Sequence, residues 1–138
     1  MSVVLGYDDS AGAERALRVA IDSALAHAEP LVLVYGAAAP GGVGEEYRSH
    51  HEALRQVGRT ALRRATEAAE AAGVATTVEI LDDKPAAALL DAAARHRARL
   101  IVVGTWGESP LRGALLGSTP HKLLHLSTVP VLCVPTVR

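Results

Sequence analysis

Gly104-Thr-Trp-Gly107-Glu-Ser-Pro-Leu-Arg-Gly-Ala-Leu-Leu-Gly117-Ser118-Thr119 is the stretch on which the reading of this chain turns. It begins where the apolar, β-branched run Leu100-Ile-Val-Val103 stops, so its glycines fall at the carboxyl edge of a predicted strand. Glycine has no Cβ and lets backbone N–H groups come close to a ligand. At the far end, Gly117-Ser118-Thr119-Pro120 reads as a helix start, with Ser118 or Thr119 as N-cap and Pro120 in the first helical position. The free N–H groups and positive dipole end of such a helix favour an anion, and the two hydroxyls add donors. Apart from a cation, everything a triphosphate requires lies within these sixteen residues. The spacing is neither Gly-x4-Gly-Lys-Ser/Thr nor Gly-x-Gly-x-x-Gly, so both common nucleotide fingerprints are absent.

Outward from this stretch the chain alternates five strand-like runs with four helical ones. The strands are predicted at residues 3–7, 31–35, 75–81, 100–105 and 131–134. In the first helix Ser10 is a plausible N-cap, and Ala13, Leu17, Ala20, Ile21 and Ala24 recur at helical spacing. The second places Leu54, Val57, Ala61, Leu62, Ala65, Ala68 and Ala72 on one face and ends at Gly73. The third starts at Pro85, capped by Asp83 or Lys84, with Leu89, Leu90, Ala93 and Ala94 inward; the fourth holds Leu123, Leu124 and Leu126. Continuous apolar strands separated by helices indicate an α/β fold, a parallel sheet covered on both faces. Right-handed crossovers then give a single doubly wound domain, most simply with strand order 3-2-1-4-5. In that order the first and fourth strands are neighbours and the winding reverses between them, which is where such sheets bind ligands. Topology therefore sets Tyr7-Asp8 beside Val103-Gly104.

The pattern Gly-x2-Gly-x9-Gly-Ser/Thr, with an opening Val3-Val-Leu-Gly-Tyr-Asp8-Asp-Ser10 and a closing Pro130-Val-Leu-Cys-Val-Pro135, resembles the universal stress proteins, specifically their ATP-binding branch. The resemblance covers essentially the whole chain and implies one nucleotide-binding domain over residues 1–138. It also implies ATP as ligand, with Mg²⁺, or else AMP or cyclic AMP, and a homodimer formed through the last strand. The residues it assigns to nucleotide binding, together with the strand ends, are Tyr7, Asp8, Gly36, Val103, Gly104, Gly107, Gly117, Ser118 and Thr119. Asp8 would accept from a ribose hydroxyl or the adenine amino group, or help to hold a hydrated Mg²⁺; the plain alternative is a residue of the Asp-Asp-Ser turn bonding its own backbone. For the glycines, the alternative is a loop that merely turns from strand to helix. Two features depart from the family. Tyr35-Gly36 ends the second strand where relatives usually present an apolar side chain to adenine, leaving the backbone at Gly36 to meet the base. Trp106 stacks, acts as a lid, or packs on the loop.

Other features bound the function. Net charge is −1 with both signs scattered, so neither nucleic acid nor an anionic membrane is an expected partner. The apolar runs fall far short of the ~20 residues that span a bilayer; with no basic-then-apolar leader read at the start, a cytoplasmic location is expected. Cys133 is the only cysteine, which excludes an intrachain disulfide. His121 and His125 are four apart with no third metal ligand in view. Arg55, Arg59 and Arg63 form a helical stripe that is either a solvated face or a dock for an acidic partner. The segment from Gly36 to Gly44 has the composition of a closing loop. No Gly-x-Ser-x-Gly or His-Glu-x-x-His motif is present. Phosphoryl transfer needs a positioned base and cationic charge, for which only Asp8 and Arg112 are candidates. The expectation is a nucleotide-dependent stress-response module acting through unidentified protein partners, with slow hydrolysis at most. The alternatives are a slow ATPase or nucleotide-alpha hydrolase-like enzyme, and a nucleotide-free dimerising scaffold.

Overall fold

A computed structural model describes residues 1–8, 10–38, 44–105 and 116–136. The order of elements is β1 (Ser2–Gly6), α1 (Ala11–His27), β2 (Leu31–Gly36), α2 (Glu45–Ala71), β3 (Thr76–Leu81), α3 (Pro85–Arg95), β4 (Ala98–Gly104), α4 (Ser118–Leu126) and β5 (Val131–Val134). The strands form one sheet in the order β3-β2-β1-β4-β5, parallel throughout. Both the fold class and the strand order are as the sequence predicts. β1 is central because its residues are apolar on both faces: Val3 and Leu5 enter the layer covered by α1 and α2, while Val4 enters the layer covered by α3 and α4. The same split divides Leu31 and Leu33 from Val32 and Val34 on β2.

The helices follow their caps and small residues. Ser10 Oγ accepts the Ala13 N–H at 3.2 Å to start α1, which buries Ala13, Leu17, Ala20, Ile21 and Ala24. On α2 the buried stripe is Gly58, Ala61, Leu62, Ala65 and Ala69; Val57, Ala68 and Ala72 face solvent instead. At about 100° per residue, Ala69 lies about 40° from Ala65 and continues the inward line, while Ala68 falls about 100° from Ala69; Ala72 is the C-cap, beyond the last turn of the helix. Ala92, not Ala94, faces inward on α3. On the short α4 only Pro120 and Leu123 are buried, and Leu124 and Leu126 are exposed. No helix among the described residues is long and apolar enough to cross a membrane.

A long-range ion pair ties the turn before β2 to β4. The Arg99 guanidinium forks onto Glu29, with Nε at 2.9 Å and Nη2 at 2.6 Å from Oε1. Hydrogen bonding from Arg99 holds the Glu29 carboxyl below its ordinary pKa. The folded state then binds its proton less readily than the unfolded chain, so the stabilisation is present above pH ~4.3 and is lost as the pH falls through the lower folded value. Glu29→Gln is expected to be less stable than the wild type at neutral pH and to lose less on acidification to pH ~3, read from urea midpoints at each pH.

Candidate functional site

The carboxyl ends of β1 and β4 lie side by side, with Leu5 opposite Val102. The chain leaves β1 through Tyr7, which is buried and belongs to the α1 layer. Its N–H donates to the Val34 carbonyl at 3.1 Å, and its hydroxyl donates to Glu14 on α1. Asp8 follows and is exposed. Its Oδ1 accepts from the Ser10 N–H at 3.1 Å and from the Ser10 hydroxyl at 2.6 Å. The turn bonding weighed for Asp8 is therefore present, and it fixes the carboxylate at the mouth of the sheet. Among the described residues Oδ2 has no hydrogen-bond partner.

The exit of β4 is built by close backbone approach. A Cβ on Gly104 would lie 3.1 Å from the carbonyl carbon and oxygen of Gly12, so this glycine lets the first turn of α1 rest on the strand end. Gly117 sits tighter: its Cβ would be 2.7 Å from the Thr105 carbonyl oxygen, and its N–H donates to that oxygen at 2.8 Å. The chain thus returns to the end of β4 before α4 begins. Gly107, Trp106, Arg112 and Gly113 lie outside the described residues, as do residues 39–43 of the segment after β2.

The start of α4 differs from the predicted one. Gly117 is the N-cap, with no side-chain cap bond, and Pro120 is the third helical residue, not the first. Ser118 and Thr119 are accordingly the first two helical residues, whose N–H groups have no partner within a helix, and no described residue accepts from them. Thr105, which sequence reasoning passed over, adds a hydroxyl: its Oγ1 is buried without a hydrogen-bond partner. A buried polar atom left unpaired is costly; Thr66 Oγ1 on α2 is in the same state. The only signal for Thr105 in the sequence is its position between a strand end and the glycine loop. Val103 packs its side chain into the α3–α4 layer.

At the end of β2 the departure at Tyr35-Gly36 has physical reasons. A Cβ on Gly36 would lie 2.8 Å from the Asp83 carbonyl oxygen and from the N and Cα of Pro85; the start of α3 occupies the space of a side chain. Just beyond, the Ala37 and Ala38 N–H groups donate to the Leu81 and Asp83 carbonyls at 2.8 and 3.2 Å. The Tyr35 ring rests on Gly58, where an added Cβ would be 2.6 Å from Cδ1. Burial, with the Asp8 charge adding to it, raises the Tyr35 phenol above its ordinary pKa, so it remains a protonated donor.

Away from this edge, His121 and His125 meet edge to face with ring centroids 4.7 Å apart, and no metal-holding cluster of three ligands occurs among the described residues. The arginine stripe of α2 is partly engaged within the chain: Arg55 pairs with Asp82, and Arg59 with Glu52 and Gln56.

A five-stranded parallel sheet in this order, its mouth at the β1–β4 switch point, defines a protein of the doubly wound α/β class. Comparison of the sequence with known families goes further: the profile of the universal stress protein family matches residues 1–135, and the chain belongs to that family. A universal stress protein of Thermus aquaticus is 35% identical over 135 residues, 96% of this chain and 97% of the relative. One from Mycobacterium tuberculosis is 36% identical over 137 residues, 96% of this chain but only 47% of the longer relative. Among solved structures, a universal stress protein in complex with cAMP aligns with a TM-score of 0.77 and 29% identity, over 99% of this chain and 98% of the other. UspA of Lactobacillus plantarum shares the fold with a TM-score of 0.83 over 96% and 97% of the two chains at 23% identity.

Proposed function

We propose that residues 1–138 act as one adenine-nucleotide-binding domain, taking ATP with Mg²⁺ at the carboxyl ends of β1 and β4 and signalling its occupancy to protein partners. The observation that carries this reading is the Gly117–Thr105 closure, which brings the start of α4 to the end of β4; the first two N–H groups of α4 have no acceptor among the described residues, and Thr105 Oγ1 is buried without a hydrogen-bond partner. The nucleotide-bound relative at 29% identity supports adenine as the base. Ser118 and Thr119 would hold phosphate oxygens through N–H and hydroxyl groups. Gly104 and Gly107 would admit the phosphate chain to the backbone. Asp8 would accept from the ribose or the adenine amino group, or from water on the metal. Gly36 and the ends of β1 and β4 at Tyr7 and Val103 would frame the nucleoside. Of these residues only Asp8 could act as a base, and its Oδ1 is engaged by Ser10, so slow turnover at most is proposed; a rate above on the order of one per second would count against a binding module.

Calorimetric titration with ATP, ADP, AMP and cyclic AMP, with and without Mg²⁺, tests this. The expected result is affinity that falls as phosphates are removed, and a loss of about tenfold or more in Asp8→Ala, the scale of one charge-assisted hydrogen bond. Absence of binding by all four would leave the loop as architecture.

The reading extends to assembly and location. β5 is an outermost strand with Leu132 42% exposed, and exposed edges invite pairing. A homodimer through β5 follows, converted to monomer by Leu132→Lys; a wild-type monomer in sedimentation at micromolar concentration overturns it. The compartment proposed is the cytoplasm.

A further inference from the structure

We infer that a clamp formed by Glu79, Arg95 and His96 seals the β3 edge of the sheet against pairing with a second copy of this chain. β3 has a neighbour only in β2, so one side of its backbone carries unpaired N–H and C=O groups. Its sequence, Thr76-Thr-Val-Glu-Ile-Leu81, is otherwise well suited to recruit another strand: five of its six residues are β-branched or aliphatic, and it contains neither Pro nor Gly. Thr77 is exposed, and Val78 is 44% exposed. The single charge is Glu79, opposite Val34 and hence on the α3 side. Its side chain is only 13% exposed.

The charge is held there by the end of α3. Both Arg95 terminal nitrogens donate to Glu79, Nη1 at 3.0 Å from Oε2 and Nη2 to Oε1. His96 Nε2 meets Oε2, and Arg95 Nε donates to Asp91 at 2.9 Å. Hydrogen bonding from Arg95 keeps the carboxyl below its ordinary pKa, so the strand carries a charge at neutral pH. A strand added beside β3 would lie along this cluster and take water from the Arg95 guanidinium, still 45% exposed, that Glu79 holds at the edge. Removing solvent from paired charges is costly, and an inward charge on an edge strand blocks pairing for that reason. β5, by contrast, reads Val131-Leu-Cys-Val134 with no charge. The two edges of one sheet are thus treated oppositely.

Sedimentation of Glu79→Val between ~1 and ~100 µM tests the inference. Association through the opened, self-complementary edge is expected to raise the weight-average mass at least about twofold over the wild type at the highest concentration, and further where protomers also pair through β5. Val78→Lys in the same chain is expected to restore the wild-type mass, because it returns a charge to the edge. A folded Glu79→Val with the wild-type mass at every concentration overturns the inference, as does a rise that Val78→Lys leaves unchanged. If Glu79→Val does not fold, Glu79→Gln decides: it keeps the shape and removes the charge, and an unchanged mass in that variant overturns the clamp.

Discussion

Gly117→Val is expected to weaken nucleotide binding on the order of a hundredfold while leaving the sheet folded. The first atom of the new side chain would lie 2.7 Å from the Thr105 carbonyl oxygen, a backbone atom at the end of a central strand that cannot swing aside. The start of α4 must move, because Leu123, fully buried, holds the helix further along. A shift of about 1 Å at the helix start is enough to misplace donors whose value depends on geometry, and a loss on the order of a hundredfold in affinity follows. Stability falls by the smaller cost of local overpacking, about 1–3 kcal/mol. Calorimetry and urea denaturation on the same preparation separate the two effects. Unchanged affinity in a folded protein would sink the proposal that this loop cradles phosphate.

The second large effect belongs to Gly36. Three backbone atoms of Asp83 and Pro85 lie 2.8 Å from where its Cβ would be. Gly36→Val therefore forces the end of β2 away from the start of α3, and the Ala37 and Ala38 hydrogen bonds to Leu81 and Asp83 are strained with it. Loss of about 3 kcal/mol or more of unfolding free energy is expected from overpacking against backbone combined with weakened hydrogen bonds. If Gly36 were glycine only to admit a base, stability would hold and affinity alone would fall; paired denaturation and titration curves distinguish these outcomes.

Local patterns carried the fold. Strand order was legible because β1, β2 and β4 are apolar on both faces, which demands a sheet buried between helices, and a doubly wound sheet then places Asp8 beside Gly104. The start and end of β5 were read correctly because prolines flank it. What remained hidden depends on neighbours distant in sequence. Leu124 and Leu126 look like core residues until α4 is seen to bury one narrow face. Val57, Ala68 and Ala72 were misassigned because alanine-rich helices carry apolar residues on several faces, and only packing on β2 and β3 selects one. The glycines at 36, 58, 104 and 117 are fixed by Asp83, Tyr35, Gly12 and Thr105 respectively, contacts no spacing rule reveals. Thr105 was missed for the same reason: a hydroxyl becomes informative only when it is known to be buried and unpaired.

The position of β1 also governs how the molecule is made. Of the five strands of this sheet it is made first, and it is the centre of the finished sheet, where Val3 lies beside both Leu31 and Leu100. Until β4 has left the ribosome, one side of this apolar strand has no mate. Contacts between segments so far apart in sequence form slowly, and the nascent chain meanwhile exposes an open, water-averse strand edge. Production of this protein should therefore be more sensitive to chaperone supply during synthesis than the stability of the completed domain would suggest.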